Sequence, residues 1–248
     1  MKKVKKETKK KTYLDLNILV DRSGSMSSIK EDMEGGIKEF IKKQKELTAD
    51  KKIDLRVSYS RFDITYEEVF SEKKIEIIKD DEIVLSPRGS TALLDATGRM
   101  INSIKERIKD KKEQPDKVTI LIITDGEENS SMEFNKQQIK DLVEKSKKED
   151  KWDFIFLGAD IDAYAEGAGI GIQGKSFNFM KTNSGIKKLF RGVSESYSGM
   201  TQMYASSANV SADLLDINLS QADVMEDIDI SIKLKQERFV KDSSQNKK

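Results

Sequence analysis

Hydrophobic positions along this chain follow two rhythms that take turns. Residues 13–20 are β-like and become wholly apolar at Ile18-Leu19-Val20, as a strand buried on both faces does. Ile29, Met33, Ile37, Phe40 and Ile41 then recur at three- and four-residue spacing among Lys and Glu, which predicts an amphipathic helix of about twenty residues. Gly35-Gly36 inside it costs about 1 kcal/mol per glycine relative to Ala and marks a place for close packing against a neighbour. Residues 53–62 switch to period two: Ile53, Leu55, Val57 and Tyr59 share one face, Asp54, Arg56, Ser58 and Ser60 the other. After a break at Asp63-Ile64-Thr65, residues 66–70 read as a hairpin partner and an antiparallel edge. Residues 71–84 contain only the short run Ile75-Glu76-Ile77-Ile78 and stay unassigned.

Ser86-Pro87-Arg88-Gly89-Ser90 is loop chemistry, and Thr91 opens a helix whose stripe is Leu93, Thr97, Met100, Ile101, Ile104 and Ile108. The most β-like segment is Val118-Thr119-Ile120-Leu121-Ile122-Ile123, which ends in Thr124-Asp125-Gly126. A weaker helix is predicted over 135–149, a buried strand over 152–157, a short helix over 161–168 and a strand over 176–179. The final helix has the clearest stripe: Ile186, Leu189, Phe190, Val193, Tyr197, Met200 and Tyr204. Strands and helices therefore alternate. The fold class expected is α/β, an open, doubly wound, mostly parallel sheet with helices on both faces.

Both ends of the chain break this pattern. The first dozen residues hold seven lysines and predict a disordered arm, with a nucleic-acid or partner tail as the alternative. Beyond residue 210, Ile228, Ile230, Ile232 and Leu234 alternate with Asp and Lys neighbours. A one-sided strand over 227–235 follows, which can extend the chain's own sheet, pair with another chain, or stay unstructured. The division expected is an arm over 1–12, one domain over 13–210 and an extension over 211–248.

Composition narrows the chemistry. Charged residues make up 36% of the 248 positions, yet the net charge is only +1, so no overall field draws the protein to nucleic acid or anionic membrane. No apolar run approaches the length of a membrane span, and no apolar segment follows the basic N-terminus as in a secretory signal. A cytoplasmic location is the expectation. There is no cysteine and no histidine. That excludes disulfides, thiolate zinc sites, the Ser-His-Asp triad and the usual general base.

What remains is oxygen chemistry. Asp21-Arg22-Ser23-Gly24-Ser25 follows the first strand and offers a carboxylate and two hydroxyls at alternate positions. Asp125 follows the strand expected beside it, and Thr91 stands on a loop ahead of a helix. In a parallel sheet, ligands bind at the carboxyl ends of strands where neighbouring connections diverge, so three loops converge on one crevice. An all-oxygen cage with few carboxylates suits a hard divalent cation, most plainly Mg²⁺, with Mn²⁺ or Ca²⁺ as substitutes. Taken singly, Ser23 and Ser25 could equally cap a helix and Asp125-Gly126 make a turn.

The run Ile18-Leu19-Val20-Asp21-Arg22-Ser23-Gly24-Ser25-Met26 resembles the signature of von Willebrand factor type A (vWA) domains, with their metal-ion-dependent adhesion site (MIDAS). Gly89-Ser90-Thr91-Ala92-Leu93 is similar to that family's threonine loop, and Ile122-Ile123-Thr124-Asp125-Gly126 to its aspartate loop. Order and spacing agree, and the likeness covers roughly residues 13–205. It implies a six-stranded sheet with one antiparallel edge strand. It also implies Mg²⁺ held directly by Ser23, Ser25 and Thr91, with Asp21 and Asp125 acting mostly through water. Members are usually non-catalytic and capture a partner's Asp or Glu through the metal. A stand-alone bacterial or phage type is implied, in a setting that includes AAA-type ATPase systems.

Three further carboxylates lie near the same edge. Asp63 ends the second strand and is either a rim residue or a turn former. Asp95 stands one helical turn below Thr91 and either orients its loop or is exposed on the surface. Glu127 follows Asp125 and either rims the site or is solvated. Gly167, Gly169, Gly171 and Gly174 lack the strand and the Gly-Lys-Ser/Thr of a phosphate loop. The expected function is a metal-dependent protein-binding module. The alternative is a Mg²⁺-dependent phosphohydrolase on a similar sheet, which would need a nucleophile or base beside the metal. Nucleophilic-aspartate enzymes generally place Asp-x-Asp after the first strand, where this chain has Asp21-Arg22-Ser23.

Overall fold

A computed structural model describes residues 11–49, 52–159 and 161–205. Most of the Lys-rich arm and the strand expected over 227–235 lie outside the described residues. Strands β1 (Thr12–Asp21), β2 (Ile53–Phe62), β3 (Tyr66–Lys74), β4 (Lys117–Thr124), β5 (Asp153–Ala159) and β6 (Ser176–Phe179) form one sheet in the order β3-β2-β1-β4-β5-β6. All neighbours run parallel except β3, which pairs antiparallel with β2 at the edge. The doubly wound, mostly parallel six-stranded sheet is thus what these residues make. The edge strand extends beyond residue 70 to Lys74, where Ile75–Ile77 and Asp80–Glu82 follow as single 3-10 turns.

Helices α1 (Lys30–Thr48) and α5 (Asn183–Ala205) cover one face, and α2 (Leu93–Lys109), α3 (Lys136–Lys148) and α4 (Ala163–Gly169) the other. The period-two pattern of β1 explains why both faces need a cover. Leu14, Leu16, Ile18 and Val20 join the core under α1 and α5, while Leu19 joins the core under α2 and α3. Ile75, Ile78, Ile83 and Leu85 fold back into the first core, so the unassigned stretch 71–84 is a packed connection. The paired glycines of α1 divide their roles. A Cβ on Gly36 would lie 2.2 Å from the Phe190 ring of α5, whereas Gly35 faces open space.

The other face of β1 departs from the apolar expectation near its start. Asp15 and Asn17 are fully buried there, and Arg107 of α2 reaches both: its Nη2 donates to Asp15 Oδ2 at 2.6 Å and to Asn17 Oδ1 at 3.0 Å. Its Nη1 donates to the hydroxyls of Ser58 and Ser71, each at 2.9 Å.

Because α1 carries the chain from β1 to β2 on one side, and β4 lies on the other, the connections diverge beyond the carboxyl ends of β1 and β4. That crevice is where such sheets bind ligands.

Candidate metal centre

Register sets the geometry. Val20 of β1 pairs with Ile123 of β4, so Asp21 and Thr124 leave the sheet side by side. The Thr124 hydroxyl donates to Asp21 Oδ2 at 2.7 Å, and the Ser23 amide donates to Asp21 Oδ1 at 2.6 Å, closing an Asx turn. That turn lifts Ser23 and Ser25 so that their hydroxyl oxygens stand 3.0 Å apart. From β4, Asp125 Oδ1 accepts the Ser25 hydroxyl at 2.7 Å. Thr91 closes the group: a Cβ added to Gly126 would meet Thr91 Oγ1 at 3.2 Å and Ser25 Oγ at 3.7 Å. Asp21, Ser23, Ser25, Thr91 and Asp125 therefore share one crevice, and the helix-cap reading of the serines has no support, because no side chain caps the turn after Ser23.

Backbone bonds fasten the three loops to one another. Gly24 N–H donates to Gly89 O at 3.0 Å, Arg88 N–H to Arg22 O at 2.7 Å, and Ala92 N–H to Asp63 O at 3.1 Å. Gly89 has φ +66°, a left-handed conformation that glycine adopts without strain. On the other flank, Thr91 N–H donates to Asn129 Oδ1 at 3.0 Å and Thr91 O accepts from Asn129 N–H at 3.1 Å. Helix α2 begins at Leu93, two residues after Thr91, which leaves Thr91 on the loop.

The three outlying carboxylates are supports or bystanders. Asp63 is buried, with Arg88 Nε donating to its Oδ2 at 2.7 Å and Arg22 Nε 3.2 Å away. Its Oδ1 accepts from the Thr65 amide and hydroxyl, each at 2.7 Å, so it is the turn former. Burial pushes its pKa up, but the bonds from Arg88 and Thr65 and the Arg22 charge outweigh that and hold it below the usual range. Asp95 accepts the amides of Met132, Glu133 and Phe134 at 2.8–2.9 Å and so fixes the loop after β4 rather than Thr91's own. Glu127 is exposed.

Glu128 and Asn129, next to Glu127, are structural rather than solvated. Glu128 accepts the amides of Leu94, Ser130 and Ser131 at 2.7–2.9 Å, and so joins the start of α2 to the loop after β4. Lys181, between β6 and α5, was missed by sequence reasoning. Its Nζ lies 3.0 Å from Asp125 Oδ2.

The donor set fits a hard divalent cation. Asp21 is 0% exposed and held by neutral donors alone, and burial pushes its pKa up to about 6 against the bonds from Thr124 and Ser23. Asp125 Oδ2 is buried without an aligned hydrogen-bond donor. Two carboxylates and three hydroxyls around a cradle that a single methyl would crowd are the oxygen ligands such an ion takes. Among the described residues no group of three or more Asp or Glu side chains is placed to hold a metal ion, this crevice included, so the case here rests on the hydroxyls together with two carboxylates.

No protein-family model matches this chain, and no curated protein matches it by sequence. Solved structures do match. The vWF domain of the type V pili tip protein Mfa5 from Porphyromonas gingivalis aligns with a TM-score of 0.57 at 10% identity, over 81% of this chain and 99% of that one. Proximal thread matrix protein 1 from the mussel byssus aligns at 0.53 and 14% identity, over 75% of this chain and 46% of that one. A further structure of the mussel protein, with a zinc-occupied MIDAS motif, aligns at 0.54 and 14% identity over 76% and 46%. The chain spans under half the length of the mussel protein. At these identities the likeness speaks for the fold, which is vWA-like.

Proposed function

We propose that this protein is a metal-dependent binding module that captures a partner protein's Asp or Glu at the crevice between β1 and β4. The observation that carries the reading is the convergence of Asp21, Ser23, Ser25, Thr91 and Asp125 from three loops that are hydrogen-bonded to one another. Ser23, Ser25 and Thr91 are the direct ligands in this reading, with Asp21 and Asp125 behind them. When bound, Mg²⁺ with few anionic ligands supplies an electrophilic coordination position for an incoming carboxylate. The protein's part is to hold the hydroxyls in place and to offset the ion's charge with two buried carboxylates.

The reading is supported by the vWA-like fold and by the adhesin and pilus context of the structural neighbours, one of which has a zinc-occupied MIDAS motif. Phosphohydrolase chemistry has less to stand on. Arg22, where an Asp-x-Asp enzyme has its spacer, is ion-paired with Asp63 and Glu67, and no histidine exists in the chain to serve as a base. No helix of the described residues is long and apolar enough to cross a membrane. The partner class, including the AAA-type ATPase setting, and a cytoplasmic location stay part of the proposal.

The test is affinity capture from the native host with Mg²⁺ and with EDTA, using wild type, Asp21→Ala and Thr91→Ala. Capture that needs Mg²⁺ and both residues is expected. Equal capture by all three proteins that EDTA leaves unchanged sinks the proposal.

A further inference from the structure

Lys181 belongs to the far edge of the sheet, yet its ammonium sits at the candidate metal centre. Strand β5 lies between β4 and β6, so Asp125 and Lys181 leave strands separated by two spacings, on the order of 10 Å. The lysine side chain spans that gap to place Nζ 3.0 Å from Asp125 Oδ2, while the Ser25 hydroxyl takes Oδ1. The contact is an ion pair without hydrogen-bond alignment, since Oδ2 is a buried atom with no aligned donor. The ammonium side is 23% exposed and the carboxylate side 0%.

We propose that Lys181 is a tethered counter-ion of this site: its ammonium balances Asp125 in the metal-free protein, competes with the divalent ion for that carboxylate, and so sets the site's affinity. The inference rests on the metal reading above. An ammonium has three donors and no lone pair, so it cannot join the ligand set. A positive charge about 3 Å from a ligand carboxylate opposes the arrival of a second cation there, and little solvent lies between the charges to screen them. One lysine charge at Asp125, with Asp21 held by neutral donors alone, leaves the cage with a negative balance that a divalent ion can take over. The first turn of α5 does not depend on this pairing. Asn183 donates to Asp32 of α1, and the Gly185 amide donates to Thr182 Oγ1 at 3.0 Å, so the segment keeps its place without the lysine.

The experiment is Mn²⁺ binding to the full chain by titration calorimetry, for wild type, Lys181→Met, Lys181→Gln and Lys145→Met. Lys145 pairs with Glu149 on the surface of α3 and controls for the change in net charge. Both Lys181 variants are expected to bind Mn²⁺ about tenfold more tightly than wild type, a shift the lost repulsion readily covers. Lys145→Met should stay within about twofold, because an exposed surface pair contributes little. Metal-free Lys181→Met should also melt below metal-free wild type, with the gap closing when Mn²⁺ is saturating. If wild type binds Mn²⁺ and the Lys181 variants bind it equally or more weakly, this inference falls and the metal reading stands. If none of the proteins binds, both fall together.

Discussion

Strand β1 carries a fully buried aspartate near each end, and the fold treats the two differently. Asp15 faces the guanidinium of Arg107, which also gathers Asn17, Ser58 and Ser71. Burial pushes the Asp15 pKa up, and the Arg107 charge pulls against it. Asp21 is held by an amide and a hydroxyl, both neutral, and the charges nearest to it include a second carboxylate. A buried carboxylate without a cation is costly, because burial removes hydration that only an opposite charge replaces. One end of the strand is complete with the protein's own atoms. The other is arranged around a charge that the chain supplies only in part, through Lys181 at Asp125.

The largest expected effect comes from breaking the completed end. Arg107→Met leaves Asp15 buried without its partner and should cost about 3–5 kcal/mol in urea unfolding, with Mn²⁺ affinity within twofold of wild type. A large change in metal affinity would mean the two ends are coupled and the contrast is wrong. A smaller effect sharpens the other end. Gly126→Ala places a methyl 3.2 Å from Thr91 Oγ1, so metal affinity should fall about tenfold while unfolding free energy changes by no more than about 1 kcal/mol.

An effect of similar size is a pH dependence at the completed end. Burial pushes the Glu72 pKa up, but bonds from Lys111 and Tyr13 and the charge of Arg107 outweigh it and hold the carboxyl below its ordinary value. Its contribution is therefore full above the ordinary carboxylate pKa and disappears as pH falls through the lowered one. Glu72→Gln should lose about 1–2 kcal/mol at pH 7, and the difference from wild type should shrink below about pH 4. A difference that persists unchanged at pH 3 would show that packing, not charge, accounts for it.

The same contrast explains what could be read from residues alone. Elements followed from period, because buried faces repeat every two or 3.6 residues, and the sheet followed from their alternation. The five candidate ligands were legible because each ends a strand or stands within four residues beyond one or ahead of a helix, where local order fixes position. Arg107, Glu128 and Lys181 were not. Their polar ends lie several bonds from the backbone and meet partners on other elements, so their roles depend on sheet order and register. Asp15 and Asn17 interrupt an apolar strand for the same reason: only the placement of α2 brings the guanidinium that makes them tolerable. Gly35 and Gly36 are adjacent in the chain, and Phe190 of α5 distinguishes them.

Calorimetric melting of wild type and Asp21→Asn, each with EDTA and with Mg²⁺ at about a hundredfold over Kd, tests the central claim most directly. Binding to the native state alone should stabilise wild type by about 2.7 kcal/mol. Asp21→Asn should melt at the same temperature with and without the ion. Equal Mg²⁺ stabilisation of both proteins, or of neither, would contradict the account.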